Sequence, residues 1–117
     1  MSIKRVQAGP RMSQAVIHNG LVFLAGQVAK DTSQDTAGQT RDVLASIDAL
    51  LAEAGTDKTR ILTATIYLAD MADFQAMNGV WDAWTVAGQT PARATVQASL
   101  ATPAYKVEIM VTAAVGQ

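Results

Sequence analysis

The chain has 117 residues, half of them apolar and 16% charged, which suits one hydrophobic core and leaves no room for a second. Nine basic against ten acidic residues give a net charge of -1, so no overall field draws the chain to nucleic acid or an anionic membrane. Cys is absent and His18 is the lone histidine, which excludes disulfides and thiolate chemistry and argues against zinc; no metal is expected.

In chain order, Ile3 to Ala8 roughly alternates apolar and polar residues until Gly9-Pro10 breaks the run, as in a short strand ended by a turn. Ala15 to His18 and Leu21 to Gln27 flank Asn19-Gly20, a dipeptide that accepts positive φ at both centres of a type I′ hairpin turn. After a polar, irregular stretch from Val28 to Ala37, Thr36 with Gln39 three residues later offers a capping box for a helix reaching about Ala54. Val43, Leu44, Ile47, Leu50, Leu51 and Ala54 recur at spacings of three and four, one buried stripe on a 3.6-residue period, and Gly55 supplies the stop.

Ile61 to Leu68 is rich in β-branched residues and uncharged, the pattern of an interior strand covered on both faces. Asp70 then caps a second helix in which Phe74, Met77 and Trp81 share a face, read foremost as core, before Gly88 and Pro91 end the element. Ala92 to Ala98 and Tyr105 to Ala114 are strands around a connection containing Pro103, and an antiparallel pairing of the two is expected. The order predicts a single α+β domain over residues 1–117: a mixed β-sheet with two helices packed on one face. No apolar run approaches the length of a membrane span, and a cytoplasmic protein is expected.

Two helices leave the other sheet face open. In the last strand Val107, Ile109 and Val111 point one way and Glu108, Met110, Thr112 and Ala114 the other; Arg93, Thr95 and Gln97 form an alternate set in the strand before. If Gln97 faces Lys106, then Thr95 faces Glu108 and Arg93 lies diagonally beside Glu108 on that open face. An Arg fork there would grip a carboxylate while the Glu positioned a water. A cross-strand or intersubunit salt bridge is the plainer alternative for the pair. His18 beside the turn, Trp81 and Trp84 on the helix, and Tyr105 and Lys106 at the strand start all read foremost as edge, core or surface residues.

Pro91-Ala92-Arg93-Ala94-Thr95-Val96, then Leu100, Pro103 and Val107-Glu108-Ile109, resemble the signature of the RidA/YjgF family. Leu24-Ala25-Gly26-Gln27 resembles its SGQ-type strand end, and Asp73-Phe74 with Asn78 its second-helix motif. The resemblance implies a chorismate mutase-like fold and a homotrimer whose sheets line a central barrel, with a pocket in each cleft between subunits. It also implies release of ammonia from 2-aminoacrylate-like enamines and imines to give 2-oxo acids, without a cofactor. By the same resemblance Arg93 holds a substrate carboxylate, Glu108 serves the hydrolytic water, the main chain at Thr95 contacts the ligand, and Asn78 lines the pocket. Met12 stands where typical members carry a pocket Tyr, Ala25 where many carry Ser, and Thr95 where Cys is common; the segment from Val28 to Gln39 is short. Two other activities compete: a non-catalytic trimer that binds small carboxylates as a sensor or chaperone, and an endoribonuclease, which the net charge disfavours.

Overall fold

The computed structural model describes residues 2–116. Its strands are β1 (Lys4–Ala8), β2 (Ser13–His18), β3 (Leu21–Leu24), β4 (Gln27–Val28), β5 (Ile61–Leu68), β6 (Ala92–Gln97) and β7 (Val107–Ala114). The helices are α1 (Thr36–Glu53) and α2 (Phe74–Trp84). The strands form one sheet in the order β1-β2-β3-β7-β5-β6, with β4 also pairing with β7. Only β5 and β6 run parallel.

Local chemistry set most of the elements. Asn19 at φ 58° and Gly20 at φ 78° make the β2–β3 turn, as their side chains permit. At the end of α1, Gly55 takes φ 86° and the Thr56 N–H donates to the Leu51 carbonyl at 2.9 Å, a Schellman closure. The apolar stripe of α1 is buried throughout, against Val22, Ile66, Val107, Ile109 and Val111 in the same core.

The helix starts differ from expectation. Asp35, not Thr36, caps α1, its carboxylate accepting from the Gly38 N–H at 2.9 Å. Gln39 therefore has no capping role. Its amide is fully buried and bridges segments, donating to Ala104 O at 3.0 Å and accepting from Lys106 N–H at 2.9 Å. Asp70 likewise caps a short 3-10 turn, Met71–Asp73, which precedes α2.

The main correction concerns strand pairing. β6 does not pair with β7; it lies parallel to β5 as an edge strand, and β7 enters between β3 and β5. Parallel neighbours need a long crossover, and the 69–91 segment carrying α2 supplies one. The 98–106 link is too long for a tight hairpin and carries the chain past β5 to the sheet interior. β5 is interior in the sheet, but the helices cover only its Ala64, Ile66 and Leu68 face.

The open face holds Phe23, Met110 and Val96, exposed by 45%, 42% and 44%, beside Thr112, Thr65 and Tyr67. Aligned large apolar side chains at that exposure are what a monomer avoids and an interface uses.

Candidate functional site

Strand pairing places Arg93 opposite Ala64, whose side chain is buried beneath the helices, so Arg93 points to the helix face. Glu108 aligns with Tyr67 and sits between Val107 and Ile109, both buried beneath the helices, so it points to the open face. The two charges expected side by side are thus on opposite faces of the sheet, with β5 between their strands. No single ligand meets both within one chain.

Arg93 lies at the free edge of β6. Its guanidinium carbon is 5.3 Å from the Trp81 ring centre and 6.0 Å from that of Phe74, so two aromatic faces of α2 orient it. At an exposed position such stacking contributes about 0.5–1 kcal/mol and leaves the N–H fork open. Among the described residues Arg93 has neither an acidic partner nor a hydrogen bond.

The Ala98 N–H donates inward to Leu68 O at 2.9 Å. Backbone groups alternate along a strand, so those of Arg93, Thr95 and Gln97 face outward at the unpaired edge. A carboxylate held by Arg93 would find the Thr95 main chain beside it. Two side-chain atoms, Asn78 Oδ1 on α2 and Thr95 Oγ1 on β6, are buried without a hydrogen-bond partner. Orphaned groups of this kind cost about 1–3 kcal/mol each unless a ligand, water or neighbouring chain satisfies them.

Glu108 is half-buried, and it too has no hydrogen-bond partner or cation among the described residues. Its carboxylate leans on the backbone of Gly26. A Cβ there would overlap Oε2 and lie 3.0 Å from Cδ, so the missing side chain is what admits the carboxylate. Beside it is a hollow of 280 Å³ whose lining includes Tyr67, Leu100, Ala101 and Met110. The sequence reading passed over Gly26 as a contact, and over Tyr67, because its register beside Glu108 depends on the β5–β7 pairing.

Met12 is not in this hollow. It is 49% exposed and lines a separate crevice of 490 Å³ with Gln14, Gln27, Leu50 and Glu53, bounded also by Gly26. Gly26 thus borders both the Met12 crevice and the Glu108 carboxylate. His18 sits at the sheet rim, its Nδ1 3.1 Å from Ser2 O. Trp81 is buried and Trp84 half-buried; their ring centres are 5.4 Å apart, and the Trp84 indole N–H donates to Asp48 at 2.9 Å. No described helix is long and apolar enough to cross a membrane.

Comparison with known proteins agrees with this fold. Residues 2–115 match the family model described as Endoribonuclease L-PSP. The RutC family protein YoaB of Escherichia coli K12 is 51% identical over 115 residues, 98% of this chain and 100% of that one. The chloroplastic Reactive Intermediate Deaminase A of Arabidopsis thaliana is 35% identical over 103 residues, 83% of this chain and 54% of its own length. Among solved structures, a YjgF-family protein from Neisseria meningitidis superposes with a TM-score of 0.95 at 53% identity, covering 100% of this chain and 98% of that one. With its two helices on one face of a mixed sheet and these relatives along its whole length, the chain belongs to the RidA/YjgF family.

Proposed function

We propose that the protein is a cytoplasmic homotrimer that hydrolyses small imino acids and their enamine tautomers, such as 2-aminoacrylate, to 2-oxo acids and ammonia. The observation that carries this reading is the pair of uncommitted charges, Arg93 and Glu108, on opposite faces of one sheet. One ligand reaches both only where two copies abut, with Arg93 from one and Glu108 from its neighbour. The apolar open face, with Phe23, Val96 and Met110, supports such an assembly, and closed symmetric rings are a common way to bury a second sheet face.

In this site the Arg93 fork and the outward main chain of Thr95 hold the substrate carboxylate, with Asn78 on the adjoining wall. Glu108 accepts a proton from water as the water oxygen bonds to the C=N carbon, the π pair moves to nitrogen, and Glu108 returns that proton to the nitrogen through a bound water. Glu108 then takes the carbinolamine hydroxyl proton and passes it to the amine, so that C=O forms as the C–N bond breaks, ammonia leaves and the carboxylate is restored. Each step needs position and proton transfer, which a carboxylate and a bound water supply.

Pyruvate release from enzymatically generated 2-aminoacrylate tests the reaction, and no acceleration over buffer would count against it. Arg93→Ala should raise KM sharply, and Glu108→Gln should lower kcat with less effect on binding. Assemblies reconstituted from equal amounts of the two variants should regain about a quarter of wild-type sites, since half the Arg donors and half the Glu donors are intact. No recovery would place both groups on one chain, and a monomer by light scattering would remove the site.

A non-catalytic carboxylate-binding trimer is the second reading. Met12 favours it, because a thioether stands where typical family members carry a Tyr hydroxyl, in the crevice that meets the Glu108 carboxylate at Gly26. Calorimetric binding of 2-oxo acids with no turnover would select it. Endoribonuclease activity, named in the family description, is least supported at a net charge of -1.

A further inference from the structure

We infer that the trough between α1 and α2 is a docking groove for an amphipathic α-helix of a partner protein, a helix that runs antiparallel to both and carries a basic residue followed two turns later by an acidic one. The groove has a volume of 580 Å³ and lies in the helix layer, on the other side of the sheet from the open face. An assembly that buries the open face leaves the groove at the surface. The inference stands apart from the deaminase reading.

The shape of the groove comes from small residues on facing helices. Leu44 and Val80 make its floor, and exposed Ala45, Ala76, Gly79 and Ala83 make its rims. Gly79 stands in the middle of α2, where glycine weakens a helix relative to alanine. A Cβ there would meet no atom within 4 Å, so no contact inside the chain asks for glycine. What the missing side chain provides is room for another backbone to come close, with Ala83 one turn further along continuing the same low rim. On the helical period Gly79 and Ala83 project roughly opposite to Phe74, Asn78 and Trp81, so an occupant of the groove leaves the Arg93 side of α2 clear.

The charges give the groove a direction. Arg41 lines it toward the start of α1 and has neither an ionic partner nor a hydrogen bond among the described residues. Asp48 lines it two turns further along, about 10 Å away. Its Oδ2 accepts from the Trp84 indole N–H at 2.9 Å, and its Oδ1 has no partner among the described residues. Trp84 is itself held by the Trp81 ring at 5.4 Å and by the Lys58 ammonium 5.2 Å from its ring centre, so this end of the groove is a fixed wall. β4, β5 and β6 run the same way, and the helices that return between them are therefore parallel, with their N-terminal ends on the Arg41 side. A third helix lying antiparallel sets its negative C-terminal end toward Arg41 and its positive N-terminal end toward Asp48. Charge and dipole together specify the direction of the occupant and the order of its two charged residues.

The probe is a dye-labelled, stapled helical peptide of about 15 residues, since short helices are marginal alone, with Ala and Leu on one face and a Lys that precedes a Glu by two turns at its edge. Fluorescence anisotropy should show the assembled protein binding it at least about tenfold more tightly than the same peptide with Lys and Glu exchanged. Arg41→Glu should weaken binding of the first peptide by about tenfold, and replacing the Glu of that peptide with Lys should restore it. Gly79→Leu should cost about tenfold or more in affinity, while mass by light scattering and the rate of pyruvate release stay as in wild type. No binding of either peptide, equal binding of both, or an affinity that Gly79→Leu leaves unchanged would overturn the assignment. A doubled mass that Gly79→Leu abolishes would also overturn it, by giving the groove to a second copy of this chain.

Discussion

Gln39→Met tests how the fold holds the Glu108 pocket together. Gln39 is fully buried; its Nε2 donates to Ala104 O at 3.0 Å, Gln34 O at 3.2 Å and Thr32 O at 3.3 Å, and its Oε1 accepts from Lys106 N–H at 2.9 Å. An amide has two hydrogens, so three acceptors mean that one hydrogen is shared, and the two longer contacts count as about one bond. Three effective bonds at about 0.5–1.5 kcal/mol each, with some rehydration of the outer carbonyls, give a loss of about 3 kcal/mol. Met keeps the length and nearly the volume, so a cavity adds little. At fixed protomer concentration the melting temperature should fall by about 12 °C, taking about 4 °C per kcal/mol for a chain of this size. Because Ala104 and Lys106 belong to the link that leads into β7 just before Glu108, amide exchange across 98–106 should accelerate and kcat should fall more than KM rises. Gln39→Glu should be worse at neutral pH, with a carboxylate set against carbonyl oxygens, and should recover in part as acid protonates it. Stability within about 0.5 kcal/mol of wild type, or unchanged exchange in that segment, would refute the role assigned to this amide.

Two other predictions follow from local contacts. Gly26→Ala puts a Cβ into overlap with Glu108 Oε2, so the carboxylate must swing away; turnover should drop about 100-fold while the thermal melt shifts by only a few degrees, and full activity would show that the position of Glu108 is unimportant. Thr59 donates its hydroxyl and N–H to exposed Asp57, which holds that carboxyl below its ordinary 3.8. A depressed carboxyl contributes stability that is present above its unfolded value and lost as pH falls through the folded one, so Thr59→Ala should move the Asp57 titration back toward 3.8 by NMR and lessen the acid-side loss below about pH 4; an unmoved titration would contradict the assigned cause.

Much of this molecule was legible in one dimension because its causes are local. The Asn19-Gly20 turn, the α1 stripe closed by Gly55 and the β5 span from Ile61 to Leu68 each follow from the conformational limits or periodicity of neighbouring residues. The family motifs around Arg93, Asn78 and Glu108 could also be read, since their order along the chain is itself the signal of the family. Thr95 on β6 and Asn78 on α2 each carry a buried oxygen without a hydrogen-bond partner, and Arg93 rests on Phe74 and Trp81 of that same helix.

Alternation along β6 and β7 sorted their side chains into two sets correctly, but it carries no information about which set of one strand shares a face with which set of the other. That choice came from the crossover through α2, which made β6 parallel to β5 and turned Arg93 toward the helices, away from Glu108. Likewise, Asp35 took the cap expected of Thr36 and freed Gln39 to bind the 98–106 link. Composition and spacing determined the elements and their apolar faces because those depend on residues a few positions apart. The partners of each strand, and hence the separation of the two charges, were decided only by long-range packing, where loop closure and burial act on the whole chain at once.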